Sequence, residues 1–215
     1  ITDKNNQLQS DFNGTLSATI YDKAIDKITL DNNNFGRTLS FDAIESKIYR
    51  GRATVKNGIF KFDFIVPKDI RIALGKGKMS FYADNGIFDR AGYNFDVNIG
   101  GINENAMADN QGPQVSLFMN DESFLDGGNT NQSPILIASL QDESGINTSI
   151  TAVDHDLIAI LDDNQANPLI LNDFYQTEFD DFKKGKVRFL LRNLTLCTHQ
   201  LKFKAWDTYN NLSEA

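Results

Sequence analysis

The sequence predicts an all-β chain built as two consecutive immunoglobulin/fibronectin-like β-sandwich domains, residues 1–108 and 109–215. Three observations carry that prediction. Apolar and polar residues alternate with a period of two in short runs, the pattern of a strand with one buried face. Turn residues separate those runs at regular intervals, most plainly Asn57-Gly58, a pair that tolerates the positive φ of a tight hairpin. No stretch sustains a 3.6-residue apolar period; residues 41–45 offer the one helix-like pattern.

Residues 1–11 are polar and read as a tether or a first edge. Leu16, Ala18 and Ile20 then alternate with Thr15, Ser17 and Thr19, and residues 28–30 are a short second candidate strand. Tyr49, Gly51, Ala53 and Val55 run into Asn57-Gly58, and Phe60, Phe62, Phe64 and Val66 share one face of the expected return strand, which Pro67 ends. Met79, Phe81 and Ala83 form another strand before the turn at Asp84-Asn85-Gly86. Tyr93, Phe95, Val97 and Ile99 close the first unit.

Residues 109–113 are polar and contain Gly112-Pro113, so they read as the joint, a short and semi-rigid elbow. Val115, Leu117 and Met119 open the second unit. Residues 134–140 are an apolar run suited to a strand buried on both sides, and residues 156–162 are a further strand. Val187, Phe189 and Leu191, then Leu201, Phe203 and Ala205, complete the pattern.

Composition narrows the function classes. The chain's 215 residues suffice for two units of about 100 residues, each large enough to bury a core. Sixteen Phe against four Pro favour strands over loops. A net charge of −8 argues against a nucleic-acid partner, because phosphate binding calls for clustered Lys and Arg. No run approaches the ~20 apolar residues of a membrane-spanning helix. The chain begins at Ile1 with no Met or leader-like segment, and so reads as a piece of a longer protein. The one cysteine, Cys197, excludes an internal disulfide and a multi-cysteine zinc site.

Candidate chemistry is sparse. Cys197 and His199 suggest a nucleophile and its base. On one strand, however, side chains at i and i+2 sit roughly 6.5–7 Å apart, beyond the ~3 Å reach of proton transfer, so the pair reads as a turn and no residue is assigned a catalytic role. His155 between Asp154 and Asp156 offers metal ligands, yet a polar turn leading into a strand is the plainer reading. Carboxylates crowd the second half, and Asp142, Asp154 and Asp156 are the candidates for Ca²⁺. No EF-hand or repeat pattern is present, so the expectation is no cofactor, with Ca²⁺ as the alternative. Trp206 faces away from the core that Phe203 and Ala205 enter. It suits an interface, or else a sugar platform.

Several strings, taken in order, carry a resemblance. They include Val66-Pro67-Lys68-Asp69-Ile70, Ser80-Phe81-Tyr82-Ala83, Gly112-Pro113 with Leu117-Phe118-Met119-Asn120-Asp121, Asp142-Glu143-Ser144-Gly145-Ile146-Asn147, His155-Asp156, Leu171-Asn172-Asp173 and Ala205-Trp206-Asp207. From about Gly51 to Asn211 the chain resembles the C-terminal, non-catalytic region of the PorU-type sortases of type IX secretion, which are related to the gingipain cysteine peptidases. The resemblance implies a surface-exposed peptidase of Bacteroidetes that removes sorting domains from secreted cargo. Its catalytic Cys and His would lie in an upstream domain, so none is carried over here. The implied partners are that peptidase domain, secreted cargo proteins and outer-membrane secretion components, at the exterior of the outer membrane. The alternative is a cell-surface adhesin or a carbohydrate-binding module pair. The chain departs from the family at Asp154 and Cys197, where the family tends to carry Gly. A Gly serving a positive-φ turn at either place would leave backbone strain here.

Overall fold

The computed structural model describes residues 1–150 and 154–215, and its regular elements are strands apart from one 3-10 turn. The first half holds β1 (Gly14–Tyr21), β2 (Ile25–Ile28), β3 (Ser40–Ala43), β4 (Lys47–Val55), β5 (Gly75–Lys76), β6 (Lys78–Asp84), β7 (Asp89–Asn94) and β8 (Asn98–Ile99). Four of them make an antiparallel sheet in the order β4-β1-β6-β7. The alternation seen in the sequence sets its faces. Leu16, Ala18, Ile20, Ala53, Val55 and Ala83 are buried on one side, while Tyr82 and Tyr93 stay exposed.

Three sequence expectations fail in this half, each for a local reason. Residues 41–45 are not helical, since Ser40–Ala43 is β3 and pairs with β2 from Ile25↔Ala43 to Ile28↔Ser40. A helix of five residues does not recover its nucleation cost, whereas a partner strand supplies backbone hydrogen bonds at once. Residues 60–66 form no strand. Asn57 and Gly58 do take the expected positive φ, 52° and 75°, but their turn closes only the Lys56↔Ile59 bridge. The chain then crosses the sheet, laying its phenylalanines on the buried face. Tyr49 stacks on Phe64 with ring centroids 4.4 Å apart and on Phe62 at 5.9 Å, and Phe60 meets Phe81 at 5.6 Å. The alternation is satisfied by packing over a sheet as well as by pairing within one. Third, the strand expected over 93–99 is interrupted between β7 and β8. The Asn94 side chain accepts the Asp96 N–H at 2.7 Å, a local turn that competes with the ladder.

The second half is a two-sheet sandwich. It contains β9 (Gln114–Met119), β10 (Ile135–Gln141), β11 (Ile158–Leu161), β12 (Leu169–Ile170), β13 (Tyr175–Glu178), β14 (Asp181–Leu190), β15 (Leu201–Trp206) and β16 (Leu212–Glu214). One sheet runs β13-β14-β10-β9 and the other β12-β11-β15-β16. Leu136, Ala138 and Val187 from the first meet Ala159, Phe203 and Ala205 from the second, all fully buried. Each large apolar side chain among them contributes roughly 1.5–3 kcal/mol through burial. No helix among the described residues is long and apolar enough to cross a membrane.

The halves meet edge to edge. β4 ends the first sheet and β13 ends a sheet of the second half. Along β4, the Arg52 N–H donates to Thr177 Oγ1 at 3.0 Å, the Thr54 N–H to Asp180 Oδ1 at 2.7 Å, and the Arg52 carbonyl accepts the Asp180 N–H at 3.0 Å. Asp180 can serve in this way because it sits in the tight β13–β14 turn at φ 58°, a conformation Asp tolerates. Beside this seam Phe182 of β14 packs into the first half's cluster of Ile20, Ile48, Tyr49 and Ile99. Residues 109–113 are held as well. Pro113 is buried, Asn211 Nδ2 donates to the Asp109 carbonyl at 3.2 Å, and a Cβ at Gly112 would lie 2.5 Å from the Leu212 carbonyl oxygen. Replacing Phe182 with Ala is expected to destabilise the whole chain by roughly 2–4 kcal/mol in urea denaturation. A change under about 0.5 kcal/mol would mean that the halves do not rely on this contact.

Candidate functional site

The sequence's Val66-Pro67-Lys68-Asp69-Ile70 string becomes a strap between the halves. Arg71 Nη2 donates to the carbonyls of Lys23 and Ala24 at 2.7 and 2.8 Å, fastening the strap to the first half. Lys23 itself is buried and bonds Asp22 Oδ1 at 2.7 Å and the Arg71 carbonyl at 2.8 Å. Two residues before Arg71, Asp69 projects into the second half with its side chain only 5% exposed. Its Oδ2 accepts Asn147 Nδ2 at 2.6 Å and faces His155 Nδ1 at 2.9 Å, and its Oδ1 accepts Asn210 Nδ2 at 2.6 Å. His155 in turn packs on Trp206, ring centroids 4.3 Å apart. Lys68 adds a cation–π contact, its Nζ 4.6 Å from the Tyr209 ring centre. Trp206 is half-buried in this cluster, reaching the first half through His155 and Asp69.

Sequence reasoning did not single out Asp69. Its one available signal was a charged residue following Val-Pro in a string otherwise headed for the core. A buried carboxylate is costly unless hydrogen-bonded, so such a residue calls for convergent donors. Those partners come from two connections far apart in the chain, Asn147 and His155 from β10–β11 and Asn210 from β15–β16, and no spacing rule connects them.

Of the three Ca²⁺ candidates, Asp142 has carboxylate neighbours other than Asp154 and Asp156. Asp142 lies with Asp109 and Asp207, one oxygen of each within 4.8 Å of the others, and this is the group among the described residues that could hold a cation. Burial pushes the Asp142 carboxyl up, the Ser144 hydroxyl and N–H oppose that, and the charges of Asp207 and Asp109 add to it. Three carboxylates are fewer than the six to eight oxygens Ca²⁺ takes, so carbonyls or water would have to complete a site. Asp207 is also occupied locally, since Oδ1 accepts the Tyr209 and Asn211 N–H groups at 2.8 and 2.7 Å. Asp156 has its carboxyl pushed up by burial, with Asn172 opposing. Asp154 is exposed at φ 70°, so the turn where the family tends to carry Gly does have positive φ here.

Cys197 and His199 lie in a loop, as the turn reading expects, but closer together than the strand spacing would put them. Residues 192–200 form a loop, and Cys197 Sγ lies 3.7 Å from His199 Nε2 instead of a strand's i to i+2 separation. His199 Nδ1 is 2.7 Å from Asp162 Oδ2. Asp162, at φ 52°, also accepts the Gln200 N–H at 2.9 Å. That backbone bond and the His199 contact hold the Asp162 carboxyl below the usual carboxylate range. Asp162 and the Thr195 carbonyl together raise His199 above its ordinary value.

No family model matches the sequence, and no curated protein matches it. Among solved structures, the chain is similar over its whole length to dimeric latent PorU from Porphyromonas gingivalis, with 26% sequence identity and a TM-score of 0.52. It spans 20% of the length of that PorU chain.

Two predictions follow from this geometry. Asp69→Ala is expected to cost about 2–4 kcal/mol, because it leaves buried donors unpaired, and Asp69→Asn is expected to cost less. Denaturant midpoints of both variants against the parent chain measure it. For Asp162 and His199 the signs differ. The depressed Asp162 stabilises fully above its unfolded value of 3.8 and loses that as pH falls through the folded value. The raised His199 stabilises fully below its unfolded value of 6.5 and loses that as pH rises through the folded value. The Tm gap between the parent chain and Asp162→Asn should therefore be widest between these two values and narrow on both sides.

Proposed function

We propose that this chain is a non-catalytic β-sandwich region of a PorU-like type IX secretion sortase, which supports an upstream peptidase domain and binds cargo or outer-membrane partners at the cell surface. The observation that carries the reading is the similarity to PorU, which extends over 100% of this chain at 26% identity. The ordered strings in the sequence support it independently, and they fall at structural positions. Val66-Pro67-Lys68-Asp69-Ile70 is the strap, His155 and Trp206 receive it, and Gly112-Pro113 is the pinned joint. A region that occupies 20% of a PorU chain leaves most of such a protein for a peptidase domain. Edge strands closed against each other and a buried polar hub suit a rigid spacer that presents surfaces in fixed relation.

One observation favours the glycan-binding alternative. The outward face of the first sheet carries Tyr82 at 48% exposure, Tyr93 at 71%, and Phe95 at 46% just past its edge, with Tyr93 and Phe95 rings 5.3 Å apart. Exposed aromatics on a sheet face are the usual stacking surface for sugar rings.

The isolated chain is expected to hydrolyse no peptide from cargo sorting domains, and to retain purified cargo sorting domains or outer-membrane secretion components in surface plasmon resonance. Peptide turnover by the chain alone sinks the non-catalytic reading. Retention on a glycan array that is lost in Tyr93→Ala, with no protein partner retained, moves the assignment to the glycan module.

A further inference from the structure

Beside the β4–β13 seam the packing leaves a small cavity of about 10 Å³ between the halves. Ile48, Tyr49 and Phe64 line it from the first half, and Thr148, Tyr175 and Thr177 from the second. A cavity holds one water from about 10–15 Å³ upward, provided two to four polar groups face it. Tyr175 needs such a partner. The residue is 2% exposed, and its Oη is shut off from solvent with no hydrogen-bond partner among the described residues. The end of its ring reaches over Gly185 of β14, where a Cβ would lie 2.5 Å from Oη. Glycine therefore leaves the hydroxyl the room that a side chain would fill. Burial pushes the Tyr175 phenol up, so the group keeps its proton and can donate as well as accept. A buried hydroxyl left unbonded is unfavourable, and in native structures such groups find a protein partner or an ordered water.

The rest of the lining supplies further partners. Thr177 Oγ1 accepts the Arg52 N–H at 3.0 Å, which leaves its own proton to donate. Thr208, also on the lining, donates from Oγ1 to the Ser144 carbonyl at 2.9 Å and keeps its lone pairs for an incoming donor. Thr148 adds another hydroxyl, whereas Ile48, Phe64 and Phe182 offer only apolar walls. We propose that the cavity is a binding site for a single water molecule, held by the Tyr175 hydroxyl and by the threonine hydroxyls around it. The water carries the seam inward: Arg52 N–H of β4 bonds Thr177, Thr177 bonds the water, and the water bonds Tyr175 in the core of the second half. It is thus part of the contact that sets one half against the other. The proposal does not rest on the sortase reading. The alternative is a dry cavity, with the Tyr175 hydroxyl turned onto a protein acceptor.

The test is a high-resolution crystal structure of the whole chain, repeated for Tyr175→Phe, which keeps the ring and removes only the hydroxyl. In the parent, a well-ordered water is expected in the cavity at about 2.7–2.8 Å from Tyr175 Oη and within hydrogen-bond reach of at least one threonine hydroxyl. In Tyr175→Phe that water is expected to be lost. Oxygen-17 relaxation dispersion checks the same point in solution, where the variant should hold one long-lived water fewer than the parent. A parent cavity without water density would overturn the proposal, and this arm decides alone if Tyr175→Phe does not fold. A water that keeps its position and occupancy in Tyr175→Phe would overturn it too, as would equal numbers of long-lived waters in the two proteins.

Discussion

The structure depends on the closure of one exposed strand edge. β4 is the last strand of the first sheet, and its outward N–H and C=O groups would otherwise be a template for another chain. They are taken up by Thr177 and Asp180 from the edge of the second half. Around this seam Arg52 Nε donates to the Thr177 carbonyl at 2.8 Å, and its guanidinium lies 4.3 Å from the Phe179 ring centre. Lys47 and Arg50 both reach Asp173. The surface ion pairs contribute little on their own, about 0–1 kcal/mol each, so the backbone bonds and Phe182 carry the contact. Because the seam is built from backbone edges, it fixes the two halves along a line, not at a single point.

The strap secures that line from the other side. Asp69 is a charged group taken almost wholly out of water, and its environment compensates with amide donors and an imidazole. Such polar hubs add less to stability than an apolar contact of the same size, but they tolerate only one arrangement of their partners. The hub therefore specifies how Asn147, His155 and Asn210 sit relative to the first half. Trp206 packs on the outer side of the same imidazole, so this side chain and the strap hold their positions together.

Against this frame, the two carboxylate-rich features of the second half differ in kind. Asp109, Asp142 and Asp207 gather at the pinned joint, where like charge and burial oppose ionisation of Asp142. Asp162 stands at the surface and pairs with His199, whose ring it holds above its ordinary value. The first arrangement raises the energy of the charged state and the second lowers it, although both begin as acidic loop residues. An Asp-rich turn makes the second possible, since Asp162 and Asp163 adopt positive φ without glycine.

The sequence by itself determined many of the strands and their inner faces. Alternation at Leu16-Ala18-Ile20, the apolar run ending at Leu140, and Leu201-Phe203-Ala205 all became buried faces, because a period of two is a property of the backbone and is written locally. It also marked Gly112, where the close approach to Leu212 demands glycine. It could not show that Phe60, Phe62 and Phe64 would cross the sheet instead of joining it, because the same alternation satisfies either placement. Nor could it show Asp69 reaching Asn147, His155 and Asn210, or Cys197 meeting His199 across a loop closed by Asp162. Those contacts join residues far apart in the chain or bend a loop away from strand geometry. Only the closed fold, where each edge and each buried charge must find a partner, decides them.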